Sequence, residues 1–333
     1  MTKIDIFSGF LGAGKTTLIK KLIAEAYSGE KIVLIENEFG DVGVDGGFLQ
    51  DAGIEITEMN SGCICCSLVG DFGKALNQVL DQYSPERILI EPSGVGKLSD
   101  VMGAVLKIER DDVKINGLTT VVDAKKCKMY MKNFGEFFNN QIESAKVVVL
   151  SHTGGMDEEK LAQVVAMIKE KNENAAIVTT DWDKLTGKDI LEVLEGNGAL
   201  KDELEKMMKE EDVCPVCGHH HHDHDEDGHH HHDEHGHHHH HADDVFTSWG
   251  KETVNKYTKE EITDILSVLA DSETYGTILR AKGMVEGKDG EWIYFDYVPG
   301  EPDVRSGKAC TIGRLCVIGS KINEENIAKL FRI

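Results

Sequence analysis

A glycine-rich segment near the start of the chain carries the residue types that bind a chain of phosphates. It reads G-F-L-G-A-G-K-T over Gly9–Thr16, between a strand-like run and a helical pattern. Glycines let successive backbone N–H groups turn inward around phosphates, the lysine adds positive charge, and the hydroxyl binds Mg²⁺. The segment predicts a nucleoside triphosphate site with Mg²⁺. The predicted contacts are Gly9, Gly12, Ala13, Gly14, Lys15, Thr16 and Thr17, with Thr16 binding the Mg²⁺.

A second acidic position accompanies this loop. The strand-like run Arg87–Glu91 ends in E-P-S-G, which puts Glu91 at a strand tip and Gly94 just beyond it. In phosphate-loop proteins an acidic residue at the tip of a neighbouring strand holds the Mg²⁺. We therefore predict that Lys15 and Glu91 are catalytic and that the Gly94 N–H contacts the γ-phosphate. The alternative for Glu91 is a strand-end carboxylate that meets only solvent.

Three cysteines lie close together about fifty residues after the phosphate loop. Cys63, Cys65 and Cys66 follow a predicted strand and a short Asn-Ser-Gly turn. Three thiolates at this spacing supply three ligands to a tetrahedral Zn²⁺, and a carboxylate, imidazole or water completes the set. Such an open site suits metal transfer. The alternative is that one or more of these thiols packs as a small buried apolar group.

A histidine-rich stretch lies later in the chain. Of the 16 histidines, all but His152 fall within Val213–Asp244, among Asp, Glu and Gly. This composition predicts a flexible linker with several weak metal sites that would bind Zn²⁺ or Ni²⁺. The alternative is a solvated spacer. The candidate ligands at its head are Cys214, Cys217, His219, His220, His221 and His222.

Composition narrows the classes of partner and the compartment. The formal net charge is −23, which disfavours binding to nucleic acid or an anionic membrane. No apolar run approaches the roughly 20 residues needed to span a bilayer. The N-terminus leads directly into a predicted strand, so we expect a cytoplasmic protein. The spacing of the eight cysteines favours metal ligands over disulfides.

Apolar runs rich in Ile and Val alternate with helical patterns through the first half. This alternation predicts an α/β fold of the P-loop NTPase type, with a mostly parallel sheet and helices on both faces. The predicted strands are 3–8, 31–36, 55–59, 87–91, 118–122, 146–150 and 175–179. The predicted helices are 15–26, 71–82, 127–133 and 158–171.

The pattern changes near residue 198. After the charged stretch, helices at 259–270 and 323–331 and strands at 277–284, 291–298 and 315–318 predict a small α+β domain. The predicted divisions are a P-loop domain at 1–198, an acidic, histidine-rich metal-binding linker at 199–245 and a C-terminal domain at 246–333.

Longer motifs make the pattern more specific. They are S-G-F-L-G-A-G-K-T-T (Ser8–Thr17), E-N-E-F-G-D-V-G-V-D (Glu36–Asp45), S-G-C-I-C-C (Ser61–Cys66), I-L-I-E-P-S-G (Ile88–Gly94), V-V-D-A (Val121–Ala124), R-A-K-G (Arg280–Gly283) and G-R-L-C-V-I-G (Gly313–Gly319). Together they resemble the CobW-like P-loop GTPases, metallochaperones related to UreG and HypB. The last two resemble the C-terminal domain of CobW proteins.

The resemblance implies a GTPase that binds Zn²⁺, Co²⁺ or Ni²⁺ at the C-x-C-C site and delivers it to a client metalloprotein. It also implies that Glu91 replaces the usual aspartate of the second nucleotide motif. By the same resemblance Glu38 and Asp41 lie in a switch-like segment that faces the nucleotide and the metal; either could be the further metal ligand, and we assign Glu38. Release of the metal would then be coupled to GTP hydrolysis. The resemblance leaves the client and the oligomeric state open.

One segment departs from the family pattern. The family normally reads guanine with N-K-x-D after the strand at 146–150, whereas this chain has Ser151-His152-Thr153-Gly154. The lysine and the aspartate are both absent, so ATP use remains open beside GTP, which the rest of the resemblance favours. Two other functions also remain open: a nucleotide-gated metal buffer or storage protein, and an ATP-using P-loop NTPase with a structural zinc.

Overall fold

A computed structural model describes residues 1–36, 55–58, 69–108, 110–196, 245–307 and 309–333. Its first part is a seven-stranded sheet with the order β3-β2-β4-β1-β5-β6-β7, in which every pairing is parallel. The strands are β1 (Thr2–Gly9), β2 (Ile32–Glu36), β3 (Glu55–Glu58), β4 (Arg87–Glu91), β5 (Val113–Asp123), β6 (Val147–Ser151) and β7 (Ala176–Val178). The predicted α/β P-loop NTPase fold is confirmed.

Helices cover both faces of this sheet. They are α1 (Lys15–Glu25), α2 (Val69–Tyr83), α3 (Leu98–Leu106), α4 (Cys127–Asn133), α5 (Gly135–Glu143), α6 (Glu158–Lys171) and α7 (Gly187–Glu195). One apolar core contains side chains of α1 and α7, and the other contains side chains of α2 to α6. The strands are rich in Val and Ile and buried, because helices on both faces exclude water from them.

The second part is a smaller α+β domain built on a mostly antiparallel sheet. Its central strands have the order β12-β11-β10-β13-β8, and β9 pairs with β10. The strands are β8 (Thr247–Thr253), β9 (Lys256–Tyr257), β10 (Thr277–Gly287), β11 (Trp292–Val298), β12 (Glu301–Gly307) and β13 (Gly313–Ser320). The helices are α8 (Lys259–Val268), α9 (Ser272–Tyr275) and α10 (Glu324–Leu330).

The two domains share apolar contacts. Phe246, just before β8, is buried among side chains of the first domain. Its ring centroid lies 5.1 Å from that of Phe137 and 5.5 Å from that of Phe134. Leu279 on β10 and Ile318 on β13 belong to the same core. This packing holds the second domain against the first.

The structure contains elements that the sequence pattern did not predict. Helices α3, α5 and α7 and strands β8 and β12 are the clearest cases. Strand β12 reads E-P-D-V-R-S-G, is mostly exposed and lies at a sheet edge, so it lacks the apolar alternation of a half-buried strand. None of the helices in the described ranges is long and apolar enough to cross a bilayer.

Candidate nucleotide-binding site

The phosphate loop joins the carboxyl end of β1 to the first residue of α1. Gly12 and Gly14 have φ angles of 72° and 98°, which L-residues with a side chain rarely adopt. A Cβ added at Gly9 would overlap the backbone carbonyl oxygen of Val121 on β5, so a side chain there would force the backbone to move. Lys15 opens α1 and is buried. The loop is thus fixed against the sheet, with its lysine at a helix N-terminus, where phosphate binding is favoured.

Thr16 and Glu91 meet at the edge of this loop. The Thr16 hydroxyl donates to both carboxylate oxygens of Glu91, at 3.0 and 3.1 Å. Glu91 ends β4, the neighbour of β1 in the sheet. A hydroxyl beside a half-buried carboxylate is an oxygen donor set that suits Mg²⁺. The structure thus brings together the two side chains that the sequence assigns to Mg²⁺, and their binding of the ion remains a prediction.

The segment after β4 packs directly on the phosphate loop. A Cβ added at Gly94 would lie 2.9 Å from the backbone N of Leu11 and 3.1 Å from its Cα. The Gly94 carbonyl accepts a hydrogen bond from Gln141 Nε2 at 3.3 Å. Gly94 therefore lies against the loop that would carry the phosphates, and its contact with the γ-phosphate remains a prediction.

A cleft of about 390 Å³ opens over the phosphate loop. The second domain forms its other wall, and a Cβ added at Gly12 would overlap the side chain of Val298 at the end of β11. The cleft is lined by Gly12, Gly14, Lys15, Thr16, Thr17, Lys20, Glu91, Arg280, Asp296, Val298, Glu301, Asp303 and Arg305. The nucleotide contacts predicted in the P-loop domain therefore face residues of the C-terminal domain across this cleft.

The loops after β6 and β7 pack beside the phosphate loop. The Trp182 indole N–H donates to the Leu150 carbonyl at 2.9 Å, and its ring would be 3.3 Å from a Cβ on Gly14. The loop after β7 is thereby fixed beside both the phosphate loop and the end of β6. His152, where the family pattern has lysine, has a φ of 57° and lies close to the second domain.

The comparison with known proteins decides the family. The sequence profile described as "CobW/HypB/UreG, nucleotide-binding domain" matches residues 3–179, which is more than half of the chain. The chain belongs to the CobW/HypB/UreG family. The matched range contains the phosphate loop, Glu91 and Gly94, and it stops short of the linker and the second domain.

Curated relatives within the family carry zinc in their names. The zinc chaperone YeiR of Escherichia coli K12 is 28% identical over 188 residues, covering 56% of this chain and 57% of the relative. The zinc chaperone CobW of Sinorhizobium sp is 33% identical over 188 residues, covering 48% and 53%. The chain spans about half the length of the curated relatives it matches.

A solved structure of a family GTPase aligns with nearly the whole chain. The Zn(II)-bound YjiA GTPase from E. coli has 20% sequence identity and a TM-score of 0.41, covering 99% of this chain and 98% of that one.

Most of the predicted metal ligands of this family member lie outside the described residues. These are Glu38, Cys63, Cys65, Cys66, Cys214, Cys217, His219, His220, His221 and His222. Strands β2 and β3, which precede the first four of them in sequence, end at Glu36 and Glu58. Glu36 pairs in register with both Glu58 and Glu91, so all three strands end together beside the hydrogen-bonded pair of Thr16 and Glu91.

In the described part of the chain, one group of side chains has metal-ligand composition. Ligand atoms of Asp123, His152 and Glu301 all lie within 4.8 Å of one another. Lys126 Nζ is 3.1 Å from Glu301 and 3.6 Å from Asp123, so one ammonium group lies against both carboxylates. We interpret this group as a contact between the two domains.

Sequence reasoning missed the contribution of the second domain to the cleft. Arg280 and Arg305 line it opposite Lys15, although neither position was assigned to the nucleotide. Arg280 donates to Asp296 through Nε at 3.1 Å and Nη2 at 2.8 Å. The R-A-K-G motif was the available signal, because its resemblance to the C-terminal domain of CobW proteins singled out Arg280.

Proposed function

We propose that this protein is a GTP-hydrolysing metallochaperone that binds Zn²⁺ at Cys63, Cys65 and Cys66 and delivers it to a client metalloprotein. The observation that carries the proposal is the pairing of a fixed phosphate loop with a three-thiol motif in a member of this family. Zinc is the cargo that the names of the relatives favour. Co²⁺ and Ni²⁺ are chemically compatible with the same ligands.

The described residues support phosphate transfer to water. Lys15 and the loop's N–H groups bind phosphate oxygens and stabilise the charge that grows as the bond to the γ-phosphate breaks. Thr16 and Glu91 would hold Mg²⁺, which when bound neutralises charge on the β- and γ-phosphates. Arg280 and Arg305 add positive charge from the second domain at the same cleft.

The sheet edge supports coupling between nucleotide and metal. Glu38 follows β2 closely in sequence, Cys63 follows β3, and both strands end in register with Glu91. Contacts to the γ-phosphate in that region would differ before and after hydrolysis. Coupling requires that the metal bind the two nucleotide states with different affinities. We propose tight Zn²⁺ binding with GTP and weak binding with GDP.

A zinc competition titration tests this proposal. The full chain would be titrated without nucleotide, with GDP, and with Mg²⁺ and a non-hydrolysable GTP analogue. We expect the analogue to tighten one Zn²⁺ site about 10-fold or more. Cys65→Ser should abolish that site's response. A variant lacking Val213–Asp244 serves as a second preparation, because it removes the imidazoles that also bind zinc.

The alternatives give different results in the same titration. Equal zinc affinity in all three states would contradict the coupling and would favour an NTPase with a structural zinc. Tight, nucleotide-dependent binding without transfer of zinc to any apoprotein zinc acceptor would favour a metal buffer. Transfer to an apoprotein that is faster with GTP than with its non-hydrolysable analogue supports the chaperone function.

A further inference from the structure

Position 154 is where the family's guanine-reading aspartate is missing. Gly154 takes the fourth place in Ser151-His152-Thr153-Gly154, after β6. The aspartate of such a motif accepts hydrogen bonds from the N1–H and 2-amino groups of guanine. Adenine has an acceptor at N1 and no amino group at C2, so a carboxylate here favours guanine. Without a carboxylate the site has no evident means of selecting the base.

The structure places another carboxylate next to that position. A Cβ added at Gly154 would lie 3.5 Å from Cγ of Asp181, and Oδ2 of Asp181 is nearer still. One oxygen of the Asp181 carboxylate therefore reaches into the space where a side chain at position 154 would begin.

The local fold holds Asp181 in this orientation. Asp181 follows β7 and is the N-cap of a short 3₁₀ helix, Trp182–Lys184, with its side chain accepting from the Asp183 N–H at 3.2 Å. That bond uses Oδ1 and leaves Oδ2 on the side of Gly154. The next residue, Trp182, is fixed to the end of β6 by its bond to Leu150. Two neighbouring loops are thus joined where the base would bind.

We propose that Asp181 is the base-reading residue of this protein and that the lack of a side chain at Gly154 leaves room for its carboxylate. The inference rests on the proposed use of GTP and explains how guanine is selected without N-K-x-D. The carboxylate has moved from the loop after β6 to the loop after β7, while its place beside the base is kept. Its role is specificity for the nucleotide, and the phosphate chemistry is unchanged.

Asp181→Asn separates base reading from the structural role. Asparagine caps helices as well as aspartate does, so the 3₁₀ turn is retained. Its amide donates a hydrogen bond where the carboxylate accepted one. It therefore matches xanthine, which has a carbonyl at C2 in place of the amino group of guanine. We expect GDP affinity to fall about 10- to 100-fold and XDP affinity to rise by a similar factor.

The experiment measures dissociation constants for GDP, XDP and ADP on the full chain. Asp183→Asn is the matched control: it removes the same charge from the same turn, and its side chain is exposed. We expect the control to keep the wild-type preference. Thermal unfolding of each variant shows whether a lost affinity reflects a lost fold.

A variant that moves the carboxylate from position 181 to position 154 tests the geometry independently. Gly154→Asp alone should weaken GDP binding, because the new side chain would overlap the Asp181 carboxylate. Combining it with Asp181→Ala should restore the preference for GDP over ADP to within about threefold of wild type. Recovery in the double variant would not be expected if Asp181 served only as a helix cap.

The outcomes distinguish this inference from the proposed function. If wild type prefers GDP and Asp181→Asn leaves the GDP-to-XDP ratio unchanged, the base-reading role of Asp181 is wrong and the GTPase proposal stands. If wild type binds GDP and ADP equally, selectivity for guanine is absent and both fail. A preference that inverts toward XDP only in Asp181→Asn supports the inference.

Discussion

The two ends of the nucleotide site are built in different ways. The phosphate end comes from one continuous segment, Gly9–Thr17, completed by Glu91 75 residues away from its hydrogen-bond partner Thr16. The base end is assembled from the separate loops after β6 and β7. Backbone N–H groups read phosphates, so the whole loop conformation must be kept. A base is read by one carboxylate, and any loop that places it correctly will serve.

This difference explains why one end follows the family pattern and the other departs from it. Adding a side chain at Gly9 or Gly12 would force the backbone or Val298 to move. A carboxylate can move from position 154 to Asp181 because the two loops follow adjacent parallel strands. Carboxyl ends of parallel strands meet at one sheet edge, where side chains from either loop reach a ligand.

The largest expected effect comes from a residue that serves neither end. Arg87 is fully buried at the start of β4, where it pairs with Asp5, with Glu30 at 2.6 Å and with Glu195 at 2.9 Å. Arg87→Leu should lower the free energy of unfolding by about 3–5 kcal/mol, because it leaves the buried Asp5 uncompensated. Urea unfolding measures the loss.

The same variant tests whether both ends depend equally on the sheet. Under conditions where Arg87→Leu stays folded, its ratio of GDP to ADP affinity should equal that of wild type. A changed ratio would show that base binding depends on the edge of the sheet where β4 begins. Arg87→Lys, which keeps the charge, should be less destabilising.

The next effect separates phosphate binding from base binding. Lys15→Ala removes the buried ammonium that opens α1 and should weaken both GTP and inorganic tripolyphosphate about 100-fold. Lys21→Ala, on the same helix and paired with Glu25, is the control and should leave both unchanged. Competition binding with a fluorescent nucleotide measures both ligands. A loss confined to GTP would contradict the assignment of Lys15 to the phosphates.

The smallest effect should be confined to the base end. Trp182→Phe keeps an aromatic ring beside Gly14 and removes the hydrogen bond to the Leu150 carbonyl. We expect GDP affinity to fall about fivefold, since one such bond contributes about 1 kcal/mol. Tripolyphosphate affinity should stay constant. Trp292→Phe on β11 provides the control, and equal losses for both ligands would mean that Trp182 supports the phosphate loop instead.

The sequence predicted those helices and strands that are marked by a hydrophobic period and by residues typical of their ends. The bounds of β4, α4 and α6 agree with the predicted ranges, because each element carries a clear period and clear ends. Helix α7 was missed, although Thr186 and Asp189 form a capping box whose spacing can be read from the sequence. Strand β12 lacks such a signal, since only its pairing with β11 defines it.

In the candidate site, too, residues marked by a local pattern could be predicted, and residues brought together only by folding could not. The phosphate loop and Glu91 were predictable because their residue types sit at fixed offsets from a strand. The role of Asp181 was not, because its proximity to Gly154 depends on how two loops fold together. The usable signal was the expected parallel pairing of β6 and β7, because it places the loops after both strands at the same sheet edge. A carboxylate shortly after β7 was therefore a candidate to replace the missing aspartate.

If nucleotide state and zinc binding are coupled, the coupling must be reciprocal, and this reciprocity can be measured directly. If a GTP analogue tightens zinc binding, zinc must tighten binding of the analogue by the same factor. The measurement is the dissociation constant of a non-hydrolysable GTP analogue on the full chain, with Mg²⁺, with and without Zn²⁺. We expect binding to be about 10-fold or more tighter with Zn²⁺ and this gain to be lost in Cys65→Ser. Equal dissociation constants with and without Zn²⁺ would contradict it.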